Sequence, residues 1–164
     1  IAKPLFRSRL TATLRQFSSG RKEKTARNYL EKLSESDYTG KRILLVEDNE
    51  LNREIAGEIL QMTGAKVETA ENGKIAVEKV EVSPKGSYDL IFMDIQMPVM
   101  NGLEAAKAIR ALPVKDAQTV PIVAMTANAF PEDIAATLQA GMNEHLSKPI
   151  DLEQFHSILQ KWCQ

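Results

Sequence analysis

Four apolar runs along this chain each end in residues able to do chemistry, and segments of helical pattern separate them. Ile43-Leu44-Leu45-Val46 gives way to Glu47-Asp48-Asn49, and Leu90-Ile91-Phe92-Met93 to Asp94. Pro121-Ile122-Val123-Ala124 runs into Met125-Thr126-Ala127, and a run that begins near Glu144 closes at Lys148-Pro149. Continuous apolar runs of this length read as strands buried on both faces, which is the habit of parallel sheets. In an open α/β sheet the parallel strands all end at one edge, and ligands bind there. Glu47, Asp48, Asp94, Thr126 and Lys148 are therefore predicted to converge. Three carboxylates, a hydroxyl and an ammonium in one place point to a divalent metal and a phosphoryl group.

The chain has 164 residues, 43% of them hydrophobic, enough for one domain with a core and an appendage. The single cysteine, Cys163, excludes a disulfide framework within the chain and reads as a packing or surface residue. No apolar run approaches the roughly 20 residues that cross a membrane, and no secretory leader is visible. The chain begins at Ile1 rather than Met, which fits a piece of a longer protein. Its charge is uneven. Residues 1–40 carry nine basic and four acidic residues, and the remainder twelve basic against eighteen acidic. This break near residue 40 predicts a domain boundary. The basic segment lacks the interleaved aromatics and charge block of a nucleic-acid arm, so no nucleic-acid partner is expected.

From Lys41 onward strand and helix patterns alternate. Strands are expected at about 42–47, 66–70, 88–93, 121–125 and 143–147. Helices are expected at about 50–62, 72–82, 102–111, 131–139 and 151–162, with Pro131 in a first turn and Asp151 as a cap. Loops fall at Ser83–Gly86 and Pro113–Gln118. Lys3-Pro4-Leu5 repeats the pattern of Lys148-Pro149-Ile150, with Leu10, Leu14 and Phe17 at the offsets of Phe155, Leu159 and Trp162. Either two amphipathic helices after Lys-Pro simply look alike, or residues 1–17 are the last helix of a preceding copy of the domain. On the second reading residues 18–40 are a linker, able to hold a helical turn or two near Ala26–Leu33, and residues 41–164 are the domain.

At the strand ends, Asp94 follows the most apolar run, where a carboxylate is costly unless paired or bound to metal. It is a candidate nucleophile toward phosphorus. Hard divalent ions such as Mg²⁺ take oxygen ligands, retain waters and use one or two carboxylates. Asp48 and Asp94 are thus expected to bind directly, with a backbone carbonyl just after Asp94, and Glu47 through water. The acids also suit the N-terminus of the next helix. Thr126 and the Ala127 N–H could donate to phosphate oxygens, and Lys148 could neutralise their charge. Lys148-Pro149 is a candidate cis peptide. There is no Gly-rich phosphate loop of the GxxxxGK[ST] kind, no zinc-type His/Cys spacing, and no evident nucleophile partner for His145 or His156.

The stretches ILLVEDNELNREIAGEIL, YDLIFMDIQMPVMNGLEAAKAIR, VPIVAMTANAF and AGMNEHLSKPID, in that order, make residues 41–163 resemble the phosphoacceptor receiver domain of two-component signalling. The resemblance implies a doubly wound, five-stranded parallel sheet in the order 2-1-3-4-5. It implies Asp94 as phosphoacceptor, Glu47 and Asp48 as the acidic pair, Thr126 as switch hydroxyl, Lys148 as the site lysine, and the Gln96 carbonyl as a further Mg²⁺ ligand. The wording is most similar to receivers fused to hybrid sensor histidine kinases, and Lys3–Ser8 resembles the last helix of the degenerate receiver that often precedes them.

This resemblance implies a histidine kinase or histidine phosphotransfer domain as partner, docking near Leu51, Asn52 and Ile55. It implies a cytoplasmic location, whether or not the parent chain is anchored in a membrane. The fragment would catalyse only its own phosphotransfer, and the parent would be a kinase. His145 stands where the family usually has a switch aromatic, so burial of an apolar ring is not expected to drive the switch in the usual way. Two other readings are a receiver fold used purely for protein interaction, and a Mg²⁺-dependent phosphohydrolase. Against the second, Gln96 occupies the place of a further acid two residues after Asp94.

Overall fold

The computed structural model describes residues 20–83, 88–113, 115–127, 130–148 and 152–163, with the side chains of 20–27, 115 and 116 excepted. Residues 1–17, the Ser83–Gly86 loop beyond Ser83, the Lys148-Pro149 peptide and the Asp151 cap lie outside the described residues.

Five short strands form one parallel sheet: β1 (Arg42–Val46), β2 (Lys66–Ala70), β3 (Leu90–Asp94), β4 (Ile122–Thr126) and β5 (Glu144–Ser147). Their order is β2-β1-β3-β4-β5, as the receiver resemblance implies. The helices are α1 (Gly20–Glu35), α2 (Glu50–Met62), α3 (Gly73–Val82), α4 (Gly102–Ala111), α5 (Lys115–Thr119), α6 (Pro131–Gln139) and α7 (Leu152–Cys163).

Strand residues alternate between the two faces, so the sheet divides the core in two. Ile43, Leu45, Phe92, Val123, Met125 and Leu146 pack with α1, α2 and α7. Leu44, Val46, Ile91, Met93, Ile122 and Ala124 pack on the other side with α3, α4 and α5. All of β3 is buried, which is why its sequence is apolar without alternation. Phe92 meets Phe155 edge-on, with ring centroids 4.9 Å apart, a geometry that adds about 0.5–1.5 kcal/mol to area burial.

Three asparagines start the helices that follow β1, β2 and the loop after β3. Asn49 accepts from the Asn52 N–H and Asn72 from the Ile75 N–H. Asn101 forms a reciprocal capping box with Glu104. Each such cap satisfies a helix donor that would otherwise lack a partner.

Two regions differ from the sequence-based expectation. The segment read as a linker with a turn or two of helix holds the 16-residue α1. Leu30, Leu33 and Tyr38 are buried with Ile59, Leu60, Phe155 and Leu159, and the Tyr38 N–H donates to Thr63 O at 2.8 Å. The loop expected over Pro113–Gln118 contains α5, anchored by buried Ala117 and Val120. The Arg110 guanidinium ties it down, donating to Ala117 O at 3.0 Å and Gly141 O at 3.0 Å.

Candidate functional site

The strand register creates the site. Val46 lies opposite Met93, so Glu47, the next residue, emerges beside Asp94 at the end of β3. Asp94 is level with Met125, which puts Thr126 one step beyond it. Thr126 pairs with Ser147, and Lys148 follows at once, its N–H donating to Thr126 O at 2.8 Å. Residues far apart in the chain thus meet because four parallel strands end together.

Carboxylate oxygens of Glu47, Asp48 and Asp94 all lie within 4.8 Å of one another. Glu47 and Asp94 are buried while Asp48 is exposed. The Lys148 ammonium sits between the buried pair, 2.9 Å from Glu47 Oε2 and 2.9 Å from Asp94 Oδ2. The Asn49 N–H donates to Glu47 Oε1 and the Gln96 N–H to Asp94 Oδ1, each at 3.3 Å. Thr126 is half-buried, Ala127 and Gln96 are exposed, and His145 is exposed on β5.

The electrostatics follow from crowding acids at a low-dielectric edge. Burial pushes the Asp94 carboxyl up to about 7; Lys148 opposes the rise, and the charge of Glu47 and contact with Asp48 add to it. For Lys148 burial favours the neutral amine, yet its hydrogen bonds to Glu47 and Asp94 carry it above the ordinary lysine value. One ammonium therefore only partly offsets the acids around it. The donor set, three hard carboxylates open on the Asp48 side, suits a hard divalent cation such as Mg²⁺. When bound, such an ion supplies the missing positive charge and favours the ionised carboxylates.

The loop after Asp94 packs tightly against its backbone. Gly102 packs so closely that a Cβ there would lie 2.2 Å from Asp94 O, and its N–H donates to Ile95 O at 2.8 Å. Val99 in this loop takes a positive φ of 68°. Cys163 is buried on α7 in the core cluster with Leu30 and Leu33; burial pushes its thiol up to about 11, which disfavours the reactive thiolate.

Arg53 carries no signal in the strand-end pattern, yet it reaches the site from the second turn of α2. Its Nη1 donates to Glu47 O at 3.0 Å and to Asp48 O at 3.5 Å. A cation one to two turns into a helix that opens on paired acids is the sequence cue that would have found it.

Residues 43–160 match the family model of the response regulator receiver domain. The chain is 43% identical over 123 residues to the two-component response regulator ORR41 of rice, covering 74% of this chain and 93% of that protein. It is 33% identical over 162 residues to the signal transduction histidine-protein kinase BarA of Escherichia coli K12, which covers 99% of this chain and 17% of BarA. The hybrid signal transduction histidine kinase L of Dictyostelium discoideum is 38% identical, with only 7% of its length matched. Among solved structures, the Mg²⁺-coordinated receiver domain of the sensor histidine kinase PA1611 from Pseudomonas aeruginosa is 40% identical, with a TM-score of 0.68 over 76% of this chain and 98% of that one. The receiver domain of yeast Ssk1, crystallised with the histidine phosphotransfer protein Ypd1, is 34% identical, with a TM-score of 0.67 over 74% and 88% of the two chains. With its sheet order, its acidic strand-end cluster and this match over most of its length, the chain belongs to the response regulator receiver family and is homologous to the receiver domains of hybrid sensor histidine kinases.

Proposed function

We propose that this domain accepts a phosphoryl group from a phosphohistidine onto Asp94 and passes it on, as the receiver of a hybrid histidine kinase phosphorelay. The observation that carries this reading is the meeting of Glu47, Asp48 and Asp94 within 4.8 Å with the Lys148 ammonium bridging two of them. Asp48, Asp94 and the Gln96 carbonyl would hold Mg²⁺, with Glu47 acting through water, and the ion would supply charge neutralisation when bound. An Asp94 carboxylate oxygen donates its electron pair to phosphorus in line with the P–N bond. That bond breaks, its electrons return to the imidazole, and an aspartyl phosphate remains. Lys148, the Thr126 hydroxyl and the Ala127 N–H stabilise the three outer oxygens. Phosphoryl transfer asks for little covalent assistance, so position and charge supply most of the rate.

Partner docking is assigned to the open sheet edge beside the start of α2, where Leu51 is 53% exposed and Asn52 and Ile55 are half-buried. The solved complex of a receiver with a histidine phosphotransfer protein supports a partner of that kind. After phosphorylation, Thr126 moves toward the phosphate and the surface of α6, β5 and α7 changes. His145, exposed on β5, does not act there as a buried aromatic switch. The similarity to BarA along nearly all of the chain supports a parent with further domains. On this reading residues 1–17 end a preceding receiver-like domain.

Incubation with acetyl phosphate and Mg²⁺, read by intact mass beside Asp94→Asn, tests the proposal. A gain of one phosphoryl group in the parent, absent in the variant and with chelator, is the expected result. A folded parent that gains none from acetyl phosphate or from a phosphorylated histidine phosphotransfer protein would leave only an interaction module.

A further inference from the structure

We propose that Arg53 is a positioning residue that sets the Asp48 carboxylate in the cation site. The inference rests on reading Glu47, Asp48 and Asp94 as that site. The two carbonyls that Arg53 Nη1 reaches, Glu47 O at 3.0 Å and Asp48 O at 3.5 Å, belong to the peptide units on either side of the Asp48 Cα. Peptide units are planar, so holding the first carbonyl firmly and the second more loosely restrains the two backbone torsions of Asp48 and hence the direction of its side chain.

The other two acids have independent anchors. Glu47 is held by Lys148 Nζ at 2.9 Å and by the Asn49 N–H at 3.3 Å, and its own N–H donates to Ala70 O at 3.1 Å. Asp94 is held by Lys148 and the Gln96 N–H. Asp48, by contrast, is exposed, and the groups its carboxylate meets at the site are the carboxylates of Glu47 and Asp94. Among the described residues no cation reaches its carboxylate, as Lys148 does those of Glu47 and Asp94, so its direction depends on its backbone. Arg53 can act as a fixed point because α2 begins rigidly. The Arg53 N–H donates to Asn49 O at 2.9 Å, and Asn49 caps the Asn52 N–H at 3.0 Å. Both contacts come from Nη1, whose two hydrogens are fixed in the guanidinium plane, whereas those of a lysine ammonium rotate on a flexible stem.

Groups that orient metal ligands from behind contribute about 10–100-fold to metal affinity. The test is a Mg²⁺ titration followed by backbone amide shifts, on the parent, Arg53→Ala, Arg53→Lys and a control on the same helix, Gln61→Ala. Metal-free melting is recorded for each. The Mg²⁺ Kd of Arg53→Ala is expected to rise at least tenfold, that of Arg53→Lys to fall between the two, and that of Gln61→Ala to match the parent, with cooperative melting throughout. Arg53→Ala with the parent's Kd, whatever its melting temperature, overturns the proposal and leaves the cation site standing. If Arg53→Ala does not fold, Arg53→Lys decides, and a parent-like Kd then overturns it. A parent with no saturable Mg²⁺ binding removes the cation-site reading and this inference together.

Discussion

Lys148 Nζ stands 2.9 Å from Asp94 Oδ2, and the same ammonium is equally close to Glu47. It is the cation that lets two carboxylates share a buried strand edge. Removing one partner of a buried ionic group leaves the others uncompensated. Lys148→Ala is therefore expected to lower the metal-free melting temperature most at pH 8 and least at pH 5, where the carboxyls can take up protons instead. Phosphorylation by acetyl phosphate is expected to slow by roughly 10²–10³-fold, the usual cost of losing one stabilising group at developing charge. Paired melting curves and intact-mass time courses check both.

The Asp94 carboxyl, pushed by burial up to about 7 from 3.8, makes metal-free stability depend on pH. Between these two values the folded state binds more protons than the unfolded chain, so this group makes stability fall as pH rises through the window. The raised Lys148 value acts only above about 10 and leaves the window unchanged. Chelated protein is expected to melt higher at pH 5 than at pH 8 on this account, and Asp94→Asn to flatten the slope and melt higher than the parent at pH 8. Saturating Mg²⁺, which favours the ionised carboxylate, is expected to restore the parent's stability at pH 8.

Gly102 leaves no room for a side chain, since an added Cβ would stand 2.2 Å from Asp94 O and 2.9 Å from Ile95 Cα. Both are backbone atoms and cannot swing aside. Gly102→Ala is expected to destabilise the fold by about 1–3 kcal/mol and to displace Asp94, with loss of phosphorylation. Urea unfolding and intact mass read the two effects.

Val99 holds a φ of 68° with its side chain 77% exposed. A β-branched residue is strained there, and glycine is not. Val99→Gly is expected to be neutral or to stabilise by up to about 1 kcal/mol, despite the entropy glycine adds to the unfolded chain. Val99→Pro is expected to destabilise. Melting temperatures check both.

Leu33 is fully buried among Ile59, Leu60, Phe155 and Leu159 although it precedes the matched family residues 43–160. Leu33→Ala is expected to cost about 2–5 kcal/mol, and a chain cut before Lys41 to melt well below one that begins at Gly20. Equal melting of the two would show that α1 adds nothing to the domain.

How much of this was legible in the sequence varies by element. The strands were readable because a buried parallel strand must be apolar throughout, and all of Leu90–Asp94 is buried. The helices after them were readable from apolar spacing and stop signals such as Gly64. The strand-end residues could be named because parallel strands share one edge. Helix α1 was not readable as part of the domain, since Leu30, Leu33 and Tyr38 are few apolar residues among many charges, and their burial depends on the groove that α2 and α7 provide. Helix α5 was hidden by its shortness and by Pro113 just before it; Arg110 and the packing of Ala117 and Val120 sustain it.

By itself, then, the sequence determined the order of strands and helices and which chemical groups stand at the strand ends, because backbone hydrogen bonding and burial impose those patterns locally. Only the tertiary structure decided that Lys148 bridges Glu47 and Asp94, that burial raises the Asp94 carboxyl, and that Arg53 grips the turn around Asp48. Those outcomes depend on distances and solvent exclusion between distant segments, and such quantities exist only once the strands have paired.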